Sequence, residues 1–159
     1  MNWRVNYKMA SSKIKEEKFT VIDGKNLILG RLGSNIAKRL LLGENIKLIN
    51  CKDIMILGRK KFLVEKYKNK LKNKVVKQGP YYSRSPADLV KRAFRNMLPY
   101  KNQRGIEAFK RLKCYNSMPS ILLNSKKELV KDAEADQDNL FYYTKISEIS
   151  LSLGYNKEK

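Results

Sequence analysis

The apolar positions first fall into register at "FTVID" (Phe19–Asp23), where β-branched residues alternate with polar ones and predict a short buried strand. Leu32, Ile36 and Leu40, with Ala37 and Leu41 beside them, then recur at helical spacing, while Arg31, Asn35, Lys38 and Arg39 take the opposite face. This helix is expected to open near Gly30 and to stop at Gly43. "NIKLIN" (Asn45–Asn50) and "IMILG" (Ile54–Gly58) are two more short apolar runs with turn residues between them. In "RKKFLVEKYKNKLKNK" (Arg59–Lys74), Leu63, Val64, Tyr67 and Leu71 form one arc of an amphipathic helix whose other face is almost entirely lysine. The sharpest helix lies within Val75–Pro99. Ser85 is its expected N-cap, Pro86 fits N1 and Asp88 at N3 can close a capping box. Leu89, Val90, Ala93, Phe94, Met97 and Leu98 form its core stripe, and Pro99 ends it. Arg104–Asn116 reads as a short helix passing into a last strand. Beyond Pro119 the chain turns polar and acidic, recovering pattern only at Thr144–Tyr155, a helix expected to be capped by Thr144 and stopped at Gly154.

Strand, helix, strand, strand and then flanking helices predict a layered α/β domain with a small, mainly parallel sheet. At 159 residues the chain suits one body, which at this size buries roughly 70% of its unfolded surface without a metal or disulfide staple. The expected division is a basic N-terminal tail at 1–18, a core at 19–119 and a C-terminal segment at 120–159 with a closing helix. No stretch approaches the ~18 apolar residues of a membrane span, so no membrane partner is expected. No signal peptide is recognisable, and Glu16 and Glu17 are wrong for a transit peptide.

Charge changes the picture most. Thirty-five Lys and Arg against fifteen Asp and Glu give +20, and the excess is uneven. Residues 1–58 carry +6, residues 59–113 carry 18 basic and 3 acidic groups, and residues 114–159 sum to −1. A solubility charge has no reason to be so lumpy. A polyanion partner does, and nucleic acid is the default polyanion.

The glycine turn of "DGKNLILGRLGSNIAKRL" raises the rival reading of a nucleotide-binding enzyme. Five residues separate Gly24 from Gly30 and Arg31-Leu32 follows, so the Lys and Ser/Thr of a P-loop are missing. Gly30 and Gly33 supply only half a dinucleotide fingerprint, and the GXXG of a KH domain lacks its flanking helix pair. Tight helix-to-sheet packing is the favoured reading, with docking of an RNA phosphate at the helix N-terminus beside Arg31 as the functional one. The chain has no histidine, which removes the usual general base. Asp23 and Asp53 at strand ends read as turn formers. No catalytic residue, metal site, cofactor or small-molecule substrate is expected. Cys51 and Cys114 have no partner motif and read as buried thiols of a reducing compartment.

The basic block carries the chemistry. Lys68 and Lys72 stand four apart on one helix face, a repulsion of a few tenths of a kcal/mol that an anionic ligand would reverse. "KQGPYYSRSP" and "PYKNQRG" both mix tyrosine with Lys and Arg between turn residues; rings can stack on exposed bases while cations hold phosphates. The candidate RNA-binding residues are Arg31, Lys38, Arg59, Lys60, Lys61, Lys68, Lys70, Lys72, Lys74, Tyr81, Tyr82, Arg84, Arg92, Arg95, Lys101, Arg104, Lys110 and Lys113. Scattered lysines suit recognition of folded RNA by shape and backbone, and no helix-turn-helix spacing is present.

Four stretches, "VIDGKNLILGRLGSNIAKRLLLG", "INCKDIMILG", "GPYYSRSPADLVKRAFRNMLPYKNQRG" and "FKRLKCYNSMP", closely resemble in order and spacing the large-subunit ribosomal protein thirteen family, over about residues 19–119. "TKISEISLSLGY" resembles that family's closing helix. The direct "GPYYSRSP" connection resembles the archaeal and eukaryotic branch, and "INC" leans eukaryotic. The resemblance implies a three-layer α/β/α domain with a four-stranded sheet. It also implies a non-catalytic constituent of the large ribosomal subunit that binds ribosomal RNA and supports assembly and translation. The implied partners are large-subunit rRNA and neighbouring ribosomal proteins, in the cytoplasm, with assembly in the nucleolus if the source is eukaryotic. Three departures stand out. Asn96 occupies the place where the family has Gly, Tyr82 and Tyr100 replace histidines, and the long basic C-terminal extension of eukaryotic members is missing after Gly154, so its contacts are expected to be absent. A free regulatory RNA-binding module remains the alternative to a ribosomal constituent.

Overall fold

The computed structural model describes residues 19–73, 79, 81–135 and 142–156. The order of elements is β1 (Phe19–Asp23), α1 (Leu29–Leu41), β2 (Asn45–Ile49), β3 (Met55–Leu57), α2 (Lys60–Lys72), α3 (Pro86–Met97), α4 (Gln103–Lys110), β4 (Leu112–Cys114), β5 (Lys127–Glu128), β6 (Tyr143–Lys145) and α5 (Ile146–Ser152). The expected tail at 1–18 lies outside the described residues, as does most of the acidic run beyond Ala135.

The main sheet has four parallel strands in the order β4-β2-β1-β5. Alternation along its strands sorts the side chains onto two faces. Ile22, Ile46, Leu48 and Leu112 point into the principal core with Leu32, Ile36 and Leu40 of α1, Val90 and Phe94 of α3, and Ile146 and Ile149 of α5. Val21 and Ile49 point the other way, where Leu122 of a short 3-10 turn (Ser120–Leu122), Tyr115 and Met118 cover them. The fold is thus α/β with the sheet between layers, the second layer much thinner than the first.

Two expectations are corrected. The run Ile54–Gly58 does form a strand, but β3 leaves the main sheet and pairs antiparallel with β6. The fourth parallel strand is β5, whose two residues are both exposed. Lys127 and Glu128 bury no side chain, so nothing in their apolar pattern marks them; only backbone pairing to Val21 and Ile22 makes them a strand. Thr144, expected to cap the last helix, lies in β6 and donates its hydroxyl to the Gly58 carbonyl at 2.8 Å. Helix α5 begins after it, and Gly154 ends the helix with a positive φ of 83°.

The glycine turn resolves into three different roles. A Cβ on Gly24 would lie 2.9 Å from Ile54 Cγ1 and 3.0 Å from the Ile49 carbonyl, so the end of β1 needs glycine to pass β2. At Gly33 a Cβ would meet Met97 Sδ at 2.5 Å and the Phe94 ring at 2.8 Å. That contact is helix on helix, α1 on α3, rather than the expected helix on sheet. Gly30 meets nothing within 4 Å. Asp23 forms a turn as expected, its carboxylate accepting from the Lys25 N–H at 3.0 Å and the Asn50 amide at 2.9 Å.

Opposite outcomes are therefore expected at two glycines of one helix. Gly33→Ala pushes α3 away and destabilises by about 1–3 kcal/mol, whereas Gly30→Ala stiffens an open helical position and gains up to ~1 kcal/mol. Urea midpoints of the two variants check the sign; a neutral Gly33→Ala would mean that α1 and α3 do not pack here.

Candidate nucleic-acid interface

Helix α3 organises the basic face, and its start is fixed from a distance. Ser85 occupies the N-cap position, but its hydroxyl does not cap the helix, and the expected box with Asp88 does not form. Asp88 instead accepts from the Ser83 hydroxyl at 2.7 Å, and Ser83 Oγ accepts from the Ser85 N–H at 3.2 Å. The capping acceptor is Asn116, which follows β4: its Oδ1 takes the Ala87 N–H at 2.8 Å while its amide donates to Tyr155 Oη at 3.0 Å. One side chain thus ties the end of the sheet to the start of α3 and to the C-terminal turn. The far end of α3 is set by Gly105, where a Cβ would sit 2.1 Å from the Pro99 carbonyl oxygen. Only glycine lets α4 begin so close to the Pro99–Tyr100 turn.

On this frame, cations pair with rings. The Arg92 guanidinium stacks 3.6 Å from the centroid of Tyr82 and donates to the Tyr81 carbonyl at 3.1 Å. Arg95 lies 5.0 Å from the Tyr100 ring, Lys91 lies 5.2 Å from Phe109 and Lys70 lies 5.0 Å from Tyr67. Burial first, and the neighbouring Tyr82 second, push the Tyr67 phenol above its ordinary range. Tyr67, on the apolar arc of α2, thus lies near enough to Tyr82 of the loop to feel its charge. Tyr81, Ser83, Asp88, Leu89, Lys91, Arg92, Arg95 and Phe109 line a cleft of about 240 Å³, and within α3 the Arg95 Nε is buried with no hydrogen-bond partner among the described residues.

The structure brings Tyr81, Tyr82, Arg92 and Arg95 together, with Tyr67 and Lys70 of α2 alongside. Lys61, Lys68 and Lys72 are exposed along α2, and Arg84, Lys101 and Arg104 are exposed on the loop, the turn and the first turn of α4. Arg59 is exposed just ahead of α2. Lys110 and Lys113 are exposed at the end of α4 and on the edge strand β4, and Arg31 is exposed in the first turn of α1. Two candidates sit differently. Lys60 pairs with Glu148 at 2.8 Å, and Lys38 shares a cleft with Arg39, Glu44, Glu128 and Asp132. Lys74 lies outside the described residues. Sequence reading missed Lys91 and Phe109. Lys91 was findable from its four-residue spacing to Arg95; Phe109 carries no signal, because an aromatic in a short amphipathic helix looks like core.

Among the described residues the ion pairs are Arg39 with Glu44 and Glu128, and Lys60 with Glu148. Hydrogen bonding to Glu128 above all, and to Glu44, holds Arg39 protonated more firmly than an isolated guanidinium, against partial burial. Neither Arg92 nor Arg95 joins a carboxylate there. No group of three or more metal-ligating residues gathers among the described residues, and no described helix is long and apolar enough to cross a membrane.

A profile of the family described as Ribosomal protein L13 matches residues 17–120. The chain belongs to the ribosomal protein L13 family. The large ribosomal subunit protein uL13 of Methanopyrus kandleri is 41% identical over 147 residues, covering 91% of this chain and 92% of its own. The proteins of the same name from Archaeoglobus fulgidus and Methanocaldococcus jannaschii are 40% and 38% identical, covering 86% and 85% of this chain and 88% and 97% of theirs. The family is one of ribosomal proteins, not of enzymes, which disposes of the nucleotide-site reading of the glycine turn. The matched region takes in α1, α2, the tyrosine loop, α3 and α4, and so includes the ring-backed cations Lys70, Lys91, Arg92 and Arg95.

Removing the cap that holds this face has a defined cost. Asn116→Ala deprives Ala87 of its acceptor and Tyr155 of its donor, and is expected to lose about 1–3 kcal/mol in urea unfolding. Asn116→Asp keeps the acceptor and should lose less. Equal losses would show that the bond to Ala87 is not what matters.

Proposed function

We propose that this chain is a structural constituent of the large ribosomal subunit that grips ribosomal RNA through the face formed by α2, the 81–84 loop, α3 and the 99–104 turn. The observation that carries the reading is the pairing of Arg92 and Arg95 with tyrosine rings instead of carboxylates. A ring fixes the direction of a guanidinium and leaves its charge uncancelled. A backbone phosphate then completes each site with a charge-assisted, often bidentate, hydrogen bond. Tyr81 is exposed on the loop beside these cations, at the same cleft. Arg31, Lys61, Lys68, Lys72, Arg84, Lys101 and Arg104 extend the phosphate contacts around this centre, with Lys38, Arg59, Lys70, Lys110 and Lys113 as further contacts, and Lys74, outside the described residues, joins them on its charge alone. Lys60, already paired, contributes least. Neighbouring large-subunit proteins are the other partners, and the protein works in the cytoplasm within the ribosome.

Binding of the full chain to transcribed large-subunit rRNA tests this. With about 6–8 phosphates engaged, log K falls against log salt with a slope of roughly −4 to −7. Arg92→Ala reduces that slope by about one, whereas Lys60→Ala leaves it nearly unchanged. A slope near −1 would end the phosphate-clamp account. Sucrose-gradient sedimentation separates a constituent from a free RNA-binding module: steady co-migration with large subunits is expected, and a free pool alone would overturn the ribosomal placement.

A further inference from the structure

The two cysteines, far apart in the chain, meet at one end of the sheet. In the parallel β2–β4 pair Cys114 stands opposite Leu48, and partners on parallel strands point to the same face. Leu48 faces the principal core, and Cys114, half-buried, packs against it there. Beyond β2 the chain turns sharply at Asn50, whose φ is 55°, and this returns Cys51 to the same core. The Cys51 N–H donates to the Tyr115 carbonyl at 3.1 Å, and Cys51 Sγ lies 3.8 Å from the Leu48 carbonyl oxygen. Both sulfurs therefore converge on the same end of one strand pair. The Cys114 thiol and then burial push the Cys51 thiol above the ordinary range, so its proton leaves only as the sulfenic hydroxyl departs.

We propose that Cys51 and Cys114 form a two-thiol oxidation site, which a hydroperoxide closes to an intramolecular disulfide and a low-molecular-weight thiol reopens. Cys51 is fully buried and Cys114 is not, so the oxidant meets Cys114 first. The Cys114 thiolate attacks a peroxide oxygen; the S–O bond forms, the O–O bond breaks, and the leaving hydroxide takes a proton to become water. The sulfur loses two electrons and becomes a sulfenic acid. The Cys51 sulfur then attacks Cys114 sulfur; the S–S bond forms, the S–O bond breaks, and the Cys51 proton leaves with the hydroxide as a second water. One hydrogen peroxide and two thiols thus yield one disulfide and two waters. The bond staples the turn after β2 to the end of β4, two residues before the Asn116 cap of α3.

Intact-mass and non-reducing peptide analysis of the reduced full chain, treated with a small excess of hydrogen peroxide, tests the site. The expected product is a monomer lighter by about 2 Da with Cys51 joined to Cys114, restored by dithiothreitol. Cys51→Ser should instead gain about 16 Da at Cys114, trappable by dimedone. Cys114→Ser should leave Cys51 unmodified over the time in which the parent chain closes. Oxygen added at Cys114 of the parent chain with Cys51 still a thiol, a disulfide only between two chains, or equally fast oxidation of Cys51 in Cys114→Ser would each overturn the proposal. The parent-chain result stands without either variant, should one fail to fold.

Discussion

Residues 59–113 carry fifteen net positive charges that repel one another, and among the described residues of this block only Lys60 forms an ion pair. Two like charges about 4 Å apart cost roughly 1 kcal/mol even in water. A cation over an aromatic face recovers ~0.5–1 kcal/mol at an exposed site, which is the same order. Arg92 over Tyr82, Arg95 near Tyr100, Lys91 near Phe109 and Lys70 near Tyr67 are four such contacts in one region. Carboxylates in their place would relieve the repulsion better and abolish the field at the same time. Rings offset it and leave the charge of the cation uncancelled.

That arrangement depends on α3 standing still, and the sheet supplies the stillness. The helix is pinned through Phe94 and Val90, which are fully buried, and through Gly33, which brings α1 within contact of Phe94 and Met97. Its first turn is held by Asn116, a residue positioned by the β2–β4 ladder rather than by anything local to the helix. Gly105 performs the matching task at the other end, setting the Pro99–Tyr100 turn that carries the ring beside Arg95. Core and charged surface are one construction: the same helix presents Leu89, Val90 and Phe94 inward and Lys91, Arg92 and Arg95 to the cleft and its rings.

Helices α1, α2 and α3 were legible because each carries three or more apolar positions at helical spacing, a signal that survives without tertiary context. The strands β1 and β2 were legible for the same reason at period two. What escaped reading was non-local. The edge strand β5 exists only through backbone pairing of two exposed residues, and β3 changes sheets because its partner β6 arrives some ninety residues later. Ser85 and Asp88 matched a capping pattern, yet a carboxamide 29 residues beyond Ala87 took the role. The meeting of Cys51 with Cys114 follows from strand register, which spacing does not encode. Of the candidate site, the tyrosine loop and the α3 arginines could be read from composition; which cation faces which ring could not.

The acidic tail end of the chain shows why blocks of charge along a sequence do not map onto blocks in space. Residues 114–159 sum to −1, and two of their carboxylates are spent locally, Glu128 on Arg39 and Glu148 on Lys60. Arg39 lies on α1 and Lys60 at the first turn of α2. Among the described residues the C-terminal carboxylates thus pair with these two cations and with none of the ring-backed ones. Among the described residues the carboxylate partners go to Arg39 and Lys60, and the aromatic partners go to Lys70, Lys91, Arg92 and Arg95 of the basic block and to Lys47 of β2, which lies 3.2 Å from the Phe19 ring centroid. Had Glu128 and Glu148 reached α3 instead, the total charge would be identical and the face proposed to grip RNA would be partly neutralised.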